Sequence, residues 1–534
     1  MTFKKIRLFA LGVSAFAIAG LAGYSAANAA KPVDVDGAIY LQNKIQEMLA
    51  RPNMGITAAG EVDVEAAGTY YAVTLPHLRL DMPTPPSQTQ PQGGKVAFDF
   101  GISALNMVPT DVEGRYVFAQ SLPTPWRYYV NDQEVFRLAI GKQKTNGIVD
   151  LPMNLAMRLD AQYDNIVMTD VRTEKPILVI DSVTGKGGYD EKTAGMFTGR
   201  IPVEINGLKL YGGGLEPFLT VNKIKFYGGY TDLSRENSIK CVQQMQVVDK
   251  QVQSYIKQAQ VIDPPVIAGY LDSVLACMGI MADGMEGGLV IEGVQVGPAL
   301  AAAAGMQNVS LNSLYIQSFF KDIFKEKMGV SMNFGAQKVN MQPRPPGYSA
   351  YAPDSFHVDI GLDNIPHGKL HEIIRGILGM YSKDAQSVVG NPAMLMMQVM
   401  TRLPQILNEA QSGIVANDVR ISGKDWQAVL KGRVQSDINA IYGASGKGTL
   451  TFQNMDGFLN QVKAEAQDPN NPNATAMRNI ITPLQMFHGL GKSDDKGGRI
   501  FEFELTQQGN LMLNGQNVQQ LLKPPAANQQ PAKQ

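Results

Sequence analysis

Residues 356–362 read FHVDIGL, and in this stretch apolar and polar side chains alternate without a break. Successive side chains of a β-strand point to opposite faces, so the stretch predicts a strand with one apolar face and one wet face. His357 falls on the wet face, where a solvated surface residue is the ordinary outcome. The alternation indicates a sheet that is buried on one side, as in antiparallel architectures.

Similar patterns recur on both sides of this stretch and predict a chain dominated by strands. Repeated glycines separate them, and the triplet Gly-Gly-Tyr occurs at 187–189 and at 228–230, either as a weak internal repeat or by chance. The further strands are expected at 61–65, 71–82, 95–102, 113–119, 134–141, 155–160, 164–171, 176–184, 218–227, 288–296, 329–341, 414–421, 427–436, 447–452 and 501–505.

Other stretches repeat their apolar residues every three or four positions, which is typical of helices with one buried side. A stripe that begins after Ser234 is broken by Pro264 and Pro265 and then resumes, which predicts a helical hairpin. The remaining helices are expected at 35–50, 311–327, 367–381, 384–411, 454–466 and 474–489. The predicted class is therefore α+β, elongated, with long twisted antiparallel sheets and helices packed on one face.

Changes in pattern and composition divide the chain of 534 residues into segments. Proline- and glycine-rich loops are expected at 83–94 and at 342–353. The predicted organisation is a signal peptide at 1–29, an N-terminal β-rich region at 30–233, a helical hairpin at 234–285, an α/β segment at 286–342, a linker at 343–353, a C-terminal α+β region at 354–522 and a disordered tail at 523–534.

The N-terminal segment has the three parts of a secretory signal. Lys4, Lys5 and Arg7 precede an apolar run, and Ala27-Asn28-Ala29 has the small-x-small form of a cleavage site. The apolar run is shorter than the ~20 residues of a spanning helix, which favours cleavage after Ala29. We therefore expect a periplasmic protein, or alternatively one anchored in the inner membrane and facing the periplasm.

The charge balance excludes several classes of partner. The chain has 47 basic and 48 acidic residues, and removing residues 1–29 leaves 44 basic residues because Lys4, Lys5 and Arg7 are lost. A charge so close to zero, with no basic run, does not fit a nucleic-acid-binding protein. An exported chain would also meet no nucleotide, so no cofactor is expected. Membrane contact is expected only through the N-terminal segment.

Cys241 and Cys277 are the two cysteines of the chain. An even number of cysteines in an exported protein favours a disulfide, and this pair is the site predicted with most support. The alternative is two reduced cysteines buried as small apolar residues.

Three patterns suggest chemistry without completing a motif. His367 and His371 have the spacing of two zinc ligands on one helix turn, but the metalloprotease pattern His-Glu-x-x-His fails, because His371-Glu372 is followed by Arg375 in place of the second histidine, and no third ligand is identifiable. The segment 443–449, GASGKGT, lacks the first glycine of a phosphate-binding loop and predicts a turn before a strand. Four methionines on one helix suggest a copper site, a flexible apolar helix face, or a lining for a lipid or partner: Met394, Met396, Met397 and Met400.

No catalytic residue and no metal ligand is therefore assigned from the sequence. The segments 448–462 and 501–522, GTLTFQNMDGFLNQV and FEFELTQQGNLMLNGQNVQQLL, resemble the AsmA-like and YdgA-like families of uncharacterised bacterial envelope proteins. The resemblance implies a β-sheet body with an apolar groove and a role in envelope lipid or protein homeostasis.

The leading functional prediction is a non-enzymatic periplasmic protein of cell-envelope maintenance that binds lipid or a hydrophobic partner. One alternative is a hydrolase whose site is assembled from distant residues, which requires a histidine within hydrogen-bond reach of a serine or carboxylate inside a pocket. The other alternative is a secreted, adhesin-like surface protein.

Overall fold

The structure is a computed structural model, and it describes the chain in eight stretches. The predicted signal peptide at 1–29, the tail at 523–534 and most of the loops at 83–94 and 343–353 lie outside the described residues. The described stretches are 31–49, 56–84, 94–257, 264–342, 352–379, 392–471, 474–494 and 498–518.

The chain divides into two compact units. The first comprises residues 1–262 with 287–300, and the second comprises 263–286 with 301–534. Strands outweigh helices, and the pairing of neighbouring strands is antiparallel within each unit. The α+β class predicted from the sequence is confirmed.

The first unit is a meander of long strands. From β3 onward each strand pairs with its neighbour in the chain, except that β5 and β6 both lie between β4 and β7. Its elements are α1 Val35–Leu49, β1 Ile56–Ala59, β2 Asp63–Ala67, β3 Tyr70–Thr84, β4 Gly94–Pro109, β5 Arg115–Ser121, β6 Trp126–Val130, β7 Gln133–Asp150, β8 Leu155–Asp170, β9 Pro176–Thr193, β10 Met196–Tyr211, β11 Pro217–Ser234 and α2 Arg235–Lys257.

Two apolar clusters form the core of the first unit. In one, Leu41 and other residues on one side of α1 pack against β2 to β5, and the side chain of Asp34 caps the helix by accepting a hydrogen bond from the Gly37 amide at 2.7 Å. The other cluster lies along β7 to β11 and includes Ile166, which is fully buried. The apolar sides of these strands are therefore covered.

The two Gly-Gly-Tyr triplets lie on either side of β10, in register with each other. Gly199 of β10 is opposite both Tyr189 of β9 and Tyr230 of β11, and the two phenol rings meet with centroids 6.0 Å apart. A Cβ atom on Gly199 would overlap the carbonyl oxygen of Gly188. The glycine thus allows close approach of the strands while the tyrosines pack over the space that it leaves.

We expect Gly199→Ala to lower the free energy of unfolding by about 2–3 kcal/mol, because the added methyl group forces apart two paired strands. Urea denaturation measures the change. The matched control is Gly214→Ala, where a Cβ atom meets nothing within 4 Å and the change should stay within about 0.5 kcal/mol. Equal values for the two variants would contradict the close approach described at Gly199.

A buried carboxylate joins the end of β7 to the start of α2. Asp150 is fully buried, and its Oδ2 accepts hydrogen bonds from Arg235 Nε at 2.7 Å and from Arg115 Nη2 at 3.3 Å. Arg235 also donates to the carbonyl oxygen of Glu113 at 2.8 Å. Because Arg235 is the first residue of α2, this ion pair sets where the helix begins.

Replacing Asp150 by Asn should therefore lower the free energy of unfolding by about 3–5 kcal/mol, since two arginines lose a buried counter-charge. The matched control is Asp160→Asn, which breaks an exposed ion pair with Lys144 and should cost no more than about 1 kcal/mol. Thermal or urea unfolding of the two variants side by side tests the difference. Similar losses of unfolding free energy in the two variants would show that the buried ion pair contributes little to stability.

The second unit is a sheet in which β13 to β18 follow one another, with β20 beside β18. Its elements are α3 Pro264–Met281, β13 Asn308–Lys321, β14 Met328–Gln342, β15 Ser355–Ile365, α5 His367–Gly379, α6 Pro392–Ala410, β16 Gly413–Ser422, β17 Gln427–Ser436, β18 Ala444–Gln453, α7 Met455–Gln467, α8 Ala474–Leu490, β19 Lys492–Ser493, β20 Arg499–Leu505, β21 Leu511–Leu513 and β22 Gln516–Asn517. In chain order, β12 Gly284–Val296 and α4 Pro298–Ala303 follow α3.

One predicted helix is wrong. The helix expected at 311–327 is strand β13, which pairs with β14 along its whole length, from Asn308 opposite Gln342 to Lys321 opposite Gly329. The segment contains Leu314, Ile316 and Phe320 at even spacing, and pairing rewards that period of two. Aromatic and β-branched residues also favour the extended chain. The turn expected at 443–449 is likewise shorter than predicted, because β18 begins at Ala444.

Candidate functional site: the apolar sheet face of the second unit

The register of β13 to β17 places four rows of side chains on one side of the sheet. One row, for example, runs from Ile316 through Phe334, Val358 and Val419 to Leu430. We call this side the apolar face. Besides that row it comprises Leu314, Ala336, Phe356, Ile421, Ala428, Ser318, Met332, Ile360, Ala416, Gly432, Phe320, Val330, Leu362, Ile414 and Val434.

A β-bulge in β16 keeps this face continuous. Asn417 and Asp418 interrupt the alternation, so that Ala416 pairs with Gly432 and Val419 with Leu430. If β16 were a regular strand without the bulge, the apolar side chains on its two halves would point to opposite sides. The bulge therefore explains why the alternation of apolar and polar residues in β16 shifts by one position at Asn417 and Asp418.

The apolar face is exposed. Ten of its large side chains keep between 37% and 60% of their surface accessible, in contrast to the covered strands of the first unit. Helix α6 contacts β15 and β17, and the side chains keep these accessible fractions with the helix in place. The ten are Leu314, Ile316, Met332, Phe356, Ile360, Leu362, Ile414, Ile421, Leu430 and Val434.

Beyond β17 the same side of the sheet is covered. Phe501 of β20 is fully buried and stacks on Phe487 of α8, with ring centroids 4.0 Å apart. Met455 of α7 belongs to the same cluster. Helices α7 and α8 thus form a local core over β18 and β20, and the exposed part of the face begins at β17.

The opposite side of the sheet carries a half-buried polar cluster. Tyr315 reaches over Gly335, where a side chain would block its path, and its hydroxyl is hydrogen-bonded to Nδ1 of His357. Burial raises the pKa of Tyr315, so its phenol stays protonated at neutral pH. His357 is therefore not merely solvated, as the sequence suggests, but is hydrogen-bonded to Tyr315.

Charged residues complete this polar cluster. Asp418 is paired with Arg420, and Asp418 lies directly opposite Asp359 across the two strands. Asn417 donates to Asp359 Oδ1 at 3.0 Å. On this side of the sheet, hydrogen bonds between side chains therefore link β13 to β15 and β15 to β16.

One member of the histidine pair on α5, His371, binds a carboxylate of a neighbouring helix. His371 Nε2 lies 3.2 Å from Asp272 Oδ1 on α3, and Arg375 forms two hydrogen bonds with the same carboxylate, at 3.0 and 3.1 Å. His367 is half-buried in the first turn of the helix. In the part of the chain that the structure describes, no three histidine, cysteine, aspartate or glutamate residues form a metal-binding group.

Acidification should loosen the contact between α3 and α5. The hydrogen bonds from Arg375, and then from His371, lower the pKa of Asp272 below its ordinary value of 3.8. A depressed pKa stabilises the folded state above the unfolded value, and this stabilisation is lost as the pH falls through the lower folded value.

We expect amide exchange in residues 367–379, corrected for the intrinsic rate, to accelerate below about pH 3.8 and to be faster in Asp272→Asn than in the wild type at pH 7. Glu236→Gln is the control, because Glu236 pairs within α2 with Lys240. If the exchange rates in α5 change neither with pH nor in the Asp272→Asn variant, Asp272 does not hold α5 against α3.

The segment 443–449 lines an open cleft of about 540 Å³. Arg433 and Lys447 stand in it, but each is balanced by a carboxylate, Asp363 and Glu504 respectively, both at 3.1 Å. The lysine that suggested a phosphate loop therefore belongs to an ion pair between β18 and β20. The residues that line this cleft in the described structure include no histidine.

Three contacts between a histidine and a carboxylate bear on the hydrolase alternative. His77, His371 and His488 contact the carboxylates of Asp99, Asp272 and Asp456. They lie on β3, α5 and α8, and none of them belongs to the described lining of the cleft.

Of the predicted methionine stripe, Met397 is 63% exposed on α6, while the side chains of Met394, Met396 and Met400 lie outside the described residues.

Neither Cys241 nor Cys277 is a free cysteine. The described helices include none with the length and hydropathy needed to cross a bilayer.

No family model, curated protein or solved structure matches the chain.

The sequence predicts the apolar face only in part. The alternation in 356–362 indicated a face, but not that it would remain accessible on five strands. The missing signal is long-range, because exposure depends on where the helices pack.

Proposed function

We propose that this chain is a non-enzymatic protein of the bacterial cell envelope, working in the periplasm, that binds lipid acyl chains on the apolar face of its second unit. The observation that carries the proposal is the set of ten exposed side chains on β13 to β17. The signal-like segment at 1–29 and the resemblance to AsmA-like and YdgA-like proteins support the same compartment.

The dimensions of the apolar face limit the size of the molecule that can occupy it. Five strands at about 4.8 Å spacing and six residues at about 3.3 Å rise give a face of roughly 20 by 20 Å. Its area, on the order of 400 Å², falls in the range of the largest apolar patches on monomeric proteins, which are often functional. Such a surface gains free energy when an apolar molecule removes it from water.

The chemistry of the face favours an acyl chain over a protein partner. Ser318 is the one polar side chain among its described residues. Protein interfaces typically need about one hydrogen bond per 100–200 Å², whereas an acyl chain needs none. One leaflet of a bilayer is about 15 Å of hydrocarbon, so an acyl chain fits along the strands.

The direct test is the double variant Ile316→Thr/Ile360→Thr, which keeps β-branched residues in the strands but removes apolar surface. At about 0.8 kcal/mol per buried methylene, we expect the Kd for the fluorescent fatty acid cis-parinaric acid to rise at least about tenfold. Mass spectrometry of solvent extracts, after gentle purification from the periplasm, should identify co-purified lipid that the variant loses.

The matched control is Ile102→Thr/Val108→Thr, which changes two exposed residues of β4 that are 61% and 37% accessible. It should bind the fatty acid as the wild type does. If the wild type carries no lipid and binds no fatty acid, or if both double variants weaken binding equally, the lipid proposal is wrong. A protein that co-purifies stoichiometrically in place of lipid would also overturn it.

A further inference from the structure

The turn between β17 and β18 presents three large apolar side chains to solvent. Ile438, Ile441 and Tyr442 are 49%, 71% and 66% exposed. They occupy a segment of seven residues, 437–443, which we call the apolar tip. Single exposed apolar residues are ordinary, but three on one short turn are not.

The backbone of the apolar tip is held firmly. Asp437 accepts hydrogen bonds from the Asn439 amide at 3.0 Å, from the Ser445 hydroxyl at 3.0 Å and from Gln507 Nε2 at 2.8 Å. The Ile441 amide donates to the carbonyl oxygen of Gln507 at 2.9 Å. Because Gln507 lies after β20, the turn is tied to the neighbouring strand.

These hydrogen bonds fix the direction in which the side chains project. The amide of Ile438 is bound by Asn408 Oδ1 at 3.0 Å, and that of Gly443 by the carbonyl oxygen of Ala440 at 2.9 Å. Ala440 is buried beneath the turn. The exposure of the apolar tip is therefore built into the fold and does not result from a loosely attached loop.

The apolar tip continues the apolar face at one end of its strands. Val434 is the last residue of that face on β17, and the turn begins three residues later. Ile414 and Leu362 lie in the same row as Val434 and are also exposed. The apolar tip therefore begins within three residues of this exposed row.

We infer that the apolar tip inserts into the interfacial region of a lipid bilayer, so that lipid can pass between the membrane and the apolar face. This inference rests on the proposed lipid function. Tyrosine is typical of membrane interfaces, where its ring is buried and its hydroxyl stays hydrated. Three side chains are too few for a stable protein interface, which takes about 20–30 residues a side.

The charges near the tip favour attachment through apolar insertion. Asp437 is engaged within the turn, and hydrogen bonding from Gln507 lowers its pKa. Lys447, the nearest exposed cation on β18, is paired with Glu504. Insertion should therefore occur with zwitterionic phosphatidylcholine vesicles and should change little when phosphatidylglycerol is added.

The deciding experiment places a reporter in the tip by Tyr442→Trp in the full exported chain. Vesicles of phosphatidylcholine brominated on the acyl chains should quench the added tryptophan emission, by roughly twofold relative to unbrominated vesicles. The matched control is Leu215→Trp, at a residue that is 92% exposed on a turn of the first unit and should not be quenched. Subtracting the emission of the wild type removes the signals of Trp126 and Trp426.

A second pair of variants separates this inference from the proposed function. Ile438→Ser/Ile441→Ser, combined with Tyr442→Trp, should lose the quenching but bind free cis-parinaric acid as the wild type does. Ile316→Thr/Ile360→Thr, combined with Tyr442→Trp, should keep the quenching and lose the fatty acid.

Each contrary outcome has a definite meaning. Absence of quenching with intact fatty-acid binding would reject the membrane contact and leave the lipid proposal standing. Equal quenching at Leu215→Trp would also reject it, because contact would not be confined to the tip. Loss of fatty-acid binding in a folded Ile438→Ser/Ile441→Ser variant would make the turn part of the lipid site instead.

Discussion

Antiparallel register is the constraint on which the second unit depends. A side chain faces the same side of the sheet as its partner on the next strand, so one residue of slip would carry a whole strand from one environment to the other. Across β13 to β17 every pairing respects this rule, and apolar residues gather on one side. The bulge at Asn417 and Asp418 preserves the rule where the sequence itself changes phase.

The two units use the same strand architecture to different ends. In the first, α1 covers β2 to β5, and residues such as Ile166 lie in a closed cluster. In the second, α7 and α8 cover β18 and β20, but the side chains of β13 to β17 remain accessible. Folding of the chain does not bury these apolar side chains. The free energy of removing them from water is therefore gained only when an apolar molecule binds there.

Local patterns predicted most of the second unit. Strands β16 and β17 and helices α7 and α8 lie within a few residues of their expected positions, because alternation, helical stripes and prolines all act locally. Local patterns do not indicate the apolar tip, since the exposure of Ile441 and Tyr442 depends on hydrogen bonds with Gln507, about 65 residues later in the chain.

Two elements show why the rest could not be predicted. Strand β10 was missed because Gly199, Pro202 and Gly207 are local breakers, yet β9 and β11 pair with it on both sides. Strand β13 replaces the helix expected at 311–327, because the spacing of its apolar residues fits either period until a partner strand decides between them. In both elements the deciding information lies in another part of the chain.

The buried carboxylate of Asp150 also orders events during synthesis. Arg115 precedes it by 35 residues, so the first counter-charge is present as soon as Asp150 emerges. The second, Arg235, arrives 85 residues later, after four more strands have been made. Each new strand of the meander can pair with the one before it, but this pocket closes last, when the chain that enters α2 returns to the end of β7.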